Sequence, residues 1–334
     1  MATDAQEKQV AAILRSQADV LDPPVVTPPP VTNTPPPQPA PPGPSQQVIG
    51  APVGAGENDW VQKFGEEFSG TSIDRTKWNL GEIEASEGNH EGYNKSELGF
   101  YVPKQAFLRD GYLVLQAIAR KIRVTTQQLT QPQIADLKAQ NIDYFKSGWL
   151  TKDFAYQTGT LTTAPDKYGL SLPVGTPWPR PAQPAKFEFK YGWAEARMKL
   201  PYGTGLWPAF WMLQSNQVWP PEVDIMEAVK AAIYTTMHYG PKDVDQSQSK
   251  TFSKTVAWFD DFHTFGVNWT PQKIDWYVDG VLVYSYAVQQ WIPTEPMYLI
   301  LNLAVGGDWP GKPSIATKFP AELLVDWVRV WQRP

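Results

Sequence analysis

From Glu57 onward the apolar positions fall in short runs rich in β-branched and aromatic residues. The clearest runs are "YLVLQAIA" (Tyr112–Ala119), "WAEARMKL" (Trp193–Leu200), "IYTTMHYG" (Ile233–Gly240), "HTFGVNWT" (His263–Thr270) and "LLVDWVRVWQ" (Leu323–Gln332). Such runs predict strands. "IDWYVDGVLVYSY" reads as a hairpin with Asp279-Gly280 at its turn. Repeated short strands, turn signals and almost no helical period predict an all-β sandwich of two antiparallel sheets. Two stretches depart from this pattern. Arg120–Tyr156 carries a helical signal around Gln133–Gln140, and Pro165–Pro184 is a long Pro-rich loop. Loops of that length are usually functional.

The N-terminal part follows another pattern. Thr3 to Leu21 reads as a helix, with a capping box at Thr3 and Gln6. Val10, Ile13, Leu14 and Leu21 mark one apolar face. A lone helix this short is marginal in water, so the face predicts docking on a protein partner or a larger assembly. Between Pro23 and Pro44 more than half of the residues are proline. This predicts a semi-rigid spacer that, with the residues up to the β region, reaches on the order of 90 Å. The expected organisation is a docking segment (1–21), a linker (22–55) and a β domain (56–334).

Composition narrows the function. The 334 residues allow one large β domain or two average ones. A net charge of −5 gives no basic footprint for nucleic acid. The absence of cysteine excludes disulfide frameworks and thiol chemistry. No apolar run approaches the roughly 18 residues of a membrane span. The 15 Trp, 14 Tyr and 14 Phe suit a large β-core or a sugar-binding cleft. The start, "MATDAQEKQVAAILRSQADVL", has acidic and polar residues where a secretory signal needs a basic start and an apolar run. The expectation is extracellular action reached by another route, or carriage in an assembly.

The chemistry concentrates in "WPPEVDIMEAV" (Trp219–Val229), where Glu222, Asp224 and Glu227 lie among apolar neighbours. Acidic groups are rarely buried without a use or a partner. On a strand Glu222 and Asp224 share a face, and Glu227 falls on the other. One extra residue in a bulge near Ile225 or Met226 returns Glu227 to their side. The two Glu Cα atoms then lie roughly 13 Å apart. A carboxyl gap of about 5–5.5 Å, the retaining-glycosidase separation, comes within reach. One carboxylate would attack the anomeric carbon, and the other would protonate the leaving oxygen. No His lies at ligand spacing beside the cluster, which disfavours a metal site.

"EVDIME" resembles the bulged signature of glycoside hydrolase family 16. "FGEEFSGTSIDRTKWN" (Phe64–Asn79), "GLWPAFWML" (Gly205–Leu213), "HTFGVNWTPQKIDWYVDG" (His263–Gly280), "LILNLAVGGDWPG" (Leu299–Gly311) and "VDWVRVWQ" (Val325–Gln332) follow in the order of laminarinase-like members. The resemblance implies a β-jelly-roll whose concave cleft cleaves a β-linked polysaccharide with retention, a β-1,3-glucan by default. It implies Glu222 as nucleophile, Asp224 as its assistant and Glu227 as acid/base. It also implies Trp207, Trp211, His238, Glu97, Asn302 and Trp309 as substrate-binding residues. Catalysis would need no cofactor. The resemblance further implies a structural calcium held by Glu67, Asp326 and the Gly111 carbonyl; oxygen ligands suit that ion. Two features depart from the family pattern. Trp193 stands where an Arg often follows Tyr-Gly, and the Pro165–Pro184 insertion carries Trp178 and Arg180. That insertion is expected to border the cleft and help choose the substrate. Galactan, agar-type or capsular polysaccharides remain alternative substrates, with a phage virion as one fitting assembly. A non-hydrolytic binding module and a structural assembly protein are the other classes left open.

Overall fold

Each strand of the β region places apolar side chains on one face, and the faces close on each other as two antiparallel sheets. The computed structural model describes residues 60–80, 96–125, 151–166, 182–216, 218–242 and 244–334. All of these belong to one unit, Pro52–Ser171 with Pro181–Pro334. One sheet has seven strands. In spatial order they are Gln246–Ser253, Ala232–Tyr239, Glu222–Val229, Leu206–Gln214, Met297–Val305, Thr160–Thr162 and Asn79–Leu80. The other sheet has eight. Seven run Val281–Tyr286, Ile274–Val278, His263–Trp269, Gly192–Lys199, Ala321–Gln332, Tyr112–Ala117 and Ala106–Arg109. Val61–Glu66 adds to Ala321–Gln332 as the eighth. Two small two-stranded sheets complete the described set. Helical turns among the described residues are short 3-10 segments.

The hairpin forms where the sequence predicts it. Asp279 and Gly280 both have positive φ, at 50° and 74°, which a two-residue turn matched to strand twist requires. The core lies between the sheets. Phe210, Met212, Val223, Ile225, Met226, Leu301 and Leu303 from the seven-stranded sheet are buried there. They meet Ala194, Met198, Phe265, Trp276, Val325 and Val328 from the eight-stranded sheet. Each large apolar side chain buried in this way contributes about 1.5–3 kcal/mol.

Trp193 belongs to the eight-stranded sheet. Its neighbours Ala194, Ala196 and Met198 are in the core. By alternation, Trp193 and Glu195 point to that sheet's outer face, away from the seven-stranded sheet. Trp193 packs against Tyr277 with ring centroids 4.6 Å apart. The Pro165–Pro184 excursion leaves and returns through a two-way bridge between Asp166 and Gln183, with N···O distances of 2.9 and 2.8 Å. Trp178 and Arg180 lie outside the described residues, as do the segments expected to form the N-terminal helix, the proline linker and the helix around Gln133–Gln140. No helix among the described residues is long and apolar enough to cross a membrane.

Candidate active site

The acidic strand carries the expected bulge. Glu222 pairs with His238, Asp224 with Thr236 and Glu227 with Tyr234 on one neighbour. Three steps along the acidic strand therefore match two on its partner. On the other side Asp224 faces Trp211 and Met226 faces Phe210, so Ile225 is the extra residue. Ile225 and Met226 are both fully buried in the core. Two successive inward side chains turn Glu227 back to the outer face with Glu222 and Asp224. A bulge leaves ladder groups to be satisfied elsewhere. Here the Trp276 indole N–H crosses from the eight-stranded sheet and donates to the Asp224 carbonyl at 2.8 Å.

The outer face of the seven-stranded sheet is a cleft of about 790 Å³. Sites of this size hold extended ligands. Glu97, Trp207, Trp211, His238, Asn302 and Trp309 all line it together with the three acidic residues. At one end Trp309, 41 % exposed, meets Trp207 at 5.2 Å and Tyr234 at 4.7 Å, both edge-to-face. Trp207 Nε1 donates to Glu227 Oε1 at 2.9 Å. Trp211 is only 7 % exposed and packs with Ala209, Tyr298 and Ile300. It contributes mainly through its N–H, which donates to Asn302 Oδ1 at 2.7 Å. Asn302 Nδ2 donates to the Tyr101 hydroxyl at 2.9 Å, and Tyr101 donates to Glu97 Oε2 at 3.1 Å. This chain fixes the polar floor of the cleft.

Sequence reasoning did not single out Trp219, Tyr101, Tyr234, Tyr298 or Asp245. Trp219 Nε1 donates to Glu222 Oε2 at 2.7 Å, and its ring lies 6.4 Å from that of His238. It stands three residues before Glu222, and that closeness was the available signal. Tyr101 is 201 positions from Asn302, and no local pattern links them.

The carboxyl groups influence one another. Burial pushes Glu222 above the usual carboxylate range, and the Asp224 charge adds to it. Glu227 is pushed well above that range, again by burial first and Asp224 second. His238 acts in the opposite sense on both Glu residues. Burial alone would push its imidazole down, but Asp224, Glu222 and Asp245 together carry it up to about 10. His238 Nε2 is 3.2 Å from Asp224 Oδ2, and Nδ1 is 2.9 Å from Asp245 Oδ1. Strand pairing thus supplies the histidine that sequence spacing did not. Glu222, Asp224 and His238 offer ligand atoms within 4.8 Å of one another. As placed, with His238 Nε2 at ion-pair distance from Asp224 Oδ2, the trio reads as an ion pair.

The residues expected to hold calcium have other partners. Glu67 accepts from Arg329 Nε and Nη2, both at 2.8 Å. Asp326 accepts from Arg197 Nη1 at 2.6 Å. Gly111 sits with Asp110 at the positive-φ turn between Ala106–Arg109 and Tyr112–Ala117. As placed, the two carboxylates fit arginine. A calcium ion, which takes six to eight oxygens, would share these carboxylates with two guanidinium groups.

The fold and site together define a β-sandwich protein with a paired-carboxylate cleft. The chain belongs to glycosyl hydrolase family 16, whose family model matches residues 143–329. It is 31 % identical over 294 residues to glucan endo-1,3-beta-glucosidase A1 of Niallia circulans, covering 80 % of this chain and 37 % of that protein. It is 36 % identical over 171 residues to the beta-glucanase of Rhodothermus marinus, covering 44 % of this chain and 59 % of that protein. The chain thus spans less than two thirds of either relative. The catalytic domain of an endo-1,3-beta-glucanase (laminarinase) from Thermotoga petrophila RKU-1 superposes with a TM-score of 0.62 at 29 % identity. That match covers 82 % of this chain and 98 % of that one.

Proposed function

We propose that the domain is an endo-acting, retaining glycosidase that cleaves a β-linked glucan, a β-1,3-glucan by default. The observation that carries this reading is the bulge, which sets Glu222, Asp224 and Glu227 on one face at the floor of the cleft. The activities of the related glucanases and of the laminarinase neighbour support the substrate class.

In the first step a Glu222 oxygen attacks the anomeric carbon while Glu227 gives its proton to the leaving glycosidic oxygen. The C–O bond to the leaving sugar breaks as the glycosyl ester forms. Water then attacks the same carbon, Glu227 takes its proton, and Glu222 leaves as carboxylate. Each Glu accepts one indole N–H, and burial and Asp224 push both carboxyls up. The His238 charge weighs more than the indole bond at Glu222 and less than it at Glu227, which favours the anion at Glu222. Pairs of carboxyl groups with different environments commonly divide acid and nucleophile roles.

We also read the proline spacer and N-terminal helical pattern as a tether to a larger assembly, with a virion as one candidate. Reducing-end release across a panel of β-glucans and galactans tests the activity. Laminarin should be cut internally, with the β-anomer as first product by NMR. An α-anomer as first product would remove the retaining mechanism, and no release from any glucan would remove the reading itself.

A further inference from the structure

Asp245 lies outside the acidic strand, on the loop between Ala232–Tyr239 and Gln246–Ser253. The loop's course is restricted. Gly240 has φ +136°, and a Cβ there would meet the Val244 carbonyl oxygen at 2.3 Å. Val244 N–H donates to the Pro241 carbonyl at 2.9 Å. From this loop Asp245 reaches back to His238 Nδ1, while His238 Nε2 faces Asp224. Asp245 is open to solvent and Asp224 is buried, so the line runs from the surface to the cleft floor.

Both ring nitrogens of His238 therefore face carboxylate oxygens, which only accept. A neutral imidazole has one N–H and could serve one of them; imidazolium serves both. The charged groups acting on His238 are Asp224 and Glu222 from the acidic strand and Asp245 from the loop, with Glu227, further along the acidic strand, also coupled to it. Ser247 stands opposite it in register on the neighbouring strand, and the Trp219 ring lies beside it.

We propose that Asp245 is a positioning residue that accepts from His238 Nδ1 and so holds the ring with Nε2 at ion-pair distance from Asp224, allowing Asp224 and Glu222 to be ionised together. The consequence for turnover rests on the glycosidase reading above. A nucleophile beside a second carboxylate would otherwise share one proton with it. The imidazolium offsets one of the two charges, and Asp245 keeps the imidazolium in place. Raising the His238 pKa in this way extends the pH range over which the site keeps its positive charge. The upward direction agrees with the His238 value of about 10.

The test is Asp245→Asn, with imidazole NMR and a pH–rate profile. The chain has three histidines, His90, His238 and His263, and His238→Gln assigns the signal. His263 is an internal control, because its own partners are Asp279 and the Trp258 carbonyl. In the Asn variant the His238 midpoint should fall by about half a unit, the scale of a part-exposed ion pair. Across the pH–rate profile kcat should fall several-fold with KM nearly kept, and Asp245→Glu should restore both kcat and the midpoint. An unmoved His238 midpoint would overturn the positioning role. A moved midpoint with unchanged kcat would overturn its link to turnover. If no polysaccharide is cleaved by the wild type, the NMR titration still decides the positioning role, so failure of the glycosidase reading is seen separately.

Discussion

At the scale of single residues, Glu222 and its surroundings make opposing demands on stability and chemistry. Burial raises its pKa above the ordinary carboxylate range. A carboxyl group raised on folding takes up protons more readily in the native state. Its stability contribution is therefore lost as pH rises from the unfolded value through the folded one. Glu222→Gln removes that loss, and its amide oxygen can still accept from Trp219. The variant should lose turnover by several orders of magnitude. Its melting temperature should equal or exceed that of the wild type, most clearly at mildly alkaline pH. Near-normal turnover would refute the nucleophile assignment. The three acidic residues were legible in the sequence because buried carboxylates are rare. Ile225 and Met226 marked where alternation had to break. The indole donors were not legible as donors. Trp207 and Trp211 were expected as substrate-binding residues, yet both use N–H bonds within the site, which composition alone does not reveal.

At the scale of elements, the bulge depends on the opposite sheet. Trp276 was readable as a strand residue, but not as the group that satisfies the Asp224 carbonyl 52 positions away. Trp276→Phe keeps an aromatic ring in the core and removes the donor. An unsatisfied buried carbonyl costs about 1–3 kcal/mol. The variant should melt lower, and kcat should fall with KM nearly kept. Lowered stability with unchanged kcat would mean that the acidic strand's neighbours hold the bulge without help. The outer face of the eight-stranded sheet gives a second expectation. Glu195 is 3 % exposed, and burial pushes its carboxyl up to about 7, against the hydrogen bonds it receives. Its unfolded value is near 4.5, so the wild type should lose stability as pH rises between about 4.5 and 7. The full difference is on the order of 3 kcal/mol. Glu195→Gln removes this dependence, so denaturation curves of the two proteins should separate between pH 5 and pH 8. Parallel curves would show that Glu195 stays ionised throughout. Trp193, a departure from the family pattern, is explained at this scale. It covers the sheet beside Glu195 and lies away from the cleft.

At the scale of the whole molecule, the order of strand motifs was enough to read the sandwich, because every strand pattern needs a facing apolar surface. The pairings that build the cleft were less legible. Contacts such as Asp245 with His238 and Tyr101 with Asn302 arise only once strands are neighbours. The outer sheet brings its own cations to Glu67 and Asp326, and this bears on metal dependence. EDTA should leave the melting temperature unchanged, and added calcium should not raise it. A calcium-dependent rise would show that the ion shares Glu67 and Asp326 with Arg329 and Arg197. The last expectation concerns the first 55 residues. None of the motifs that carry chemistry falls there. All the cleft residues named above lie from Glu97 onward. A chain beginning at Ala55 should therefore match the full chain in kcat/KM on a soluble β-1,3-gluco-oligosaccharide. On an insoluble or surface-bound polysaccharide the full chain should gain only if the N-terminal segment itself binds a partner held there, since avidity requires both sites to be engaged. A large drop in activity of the shortened chain on the soluble substrate would show that the N-terminal segment completes the fold or the cleft.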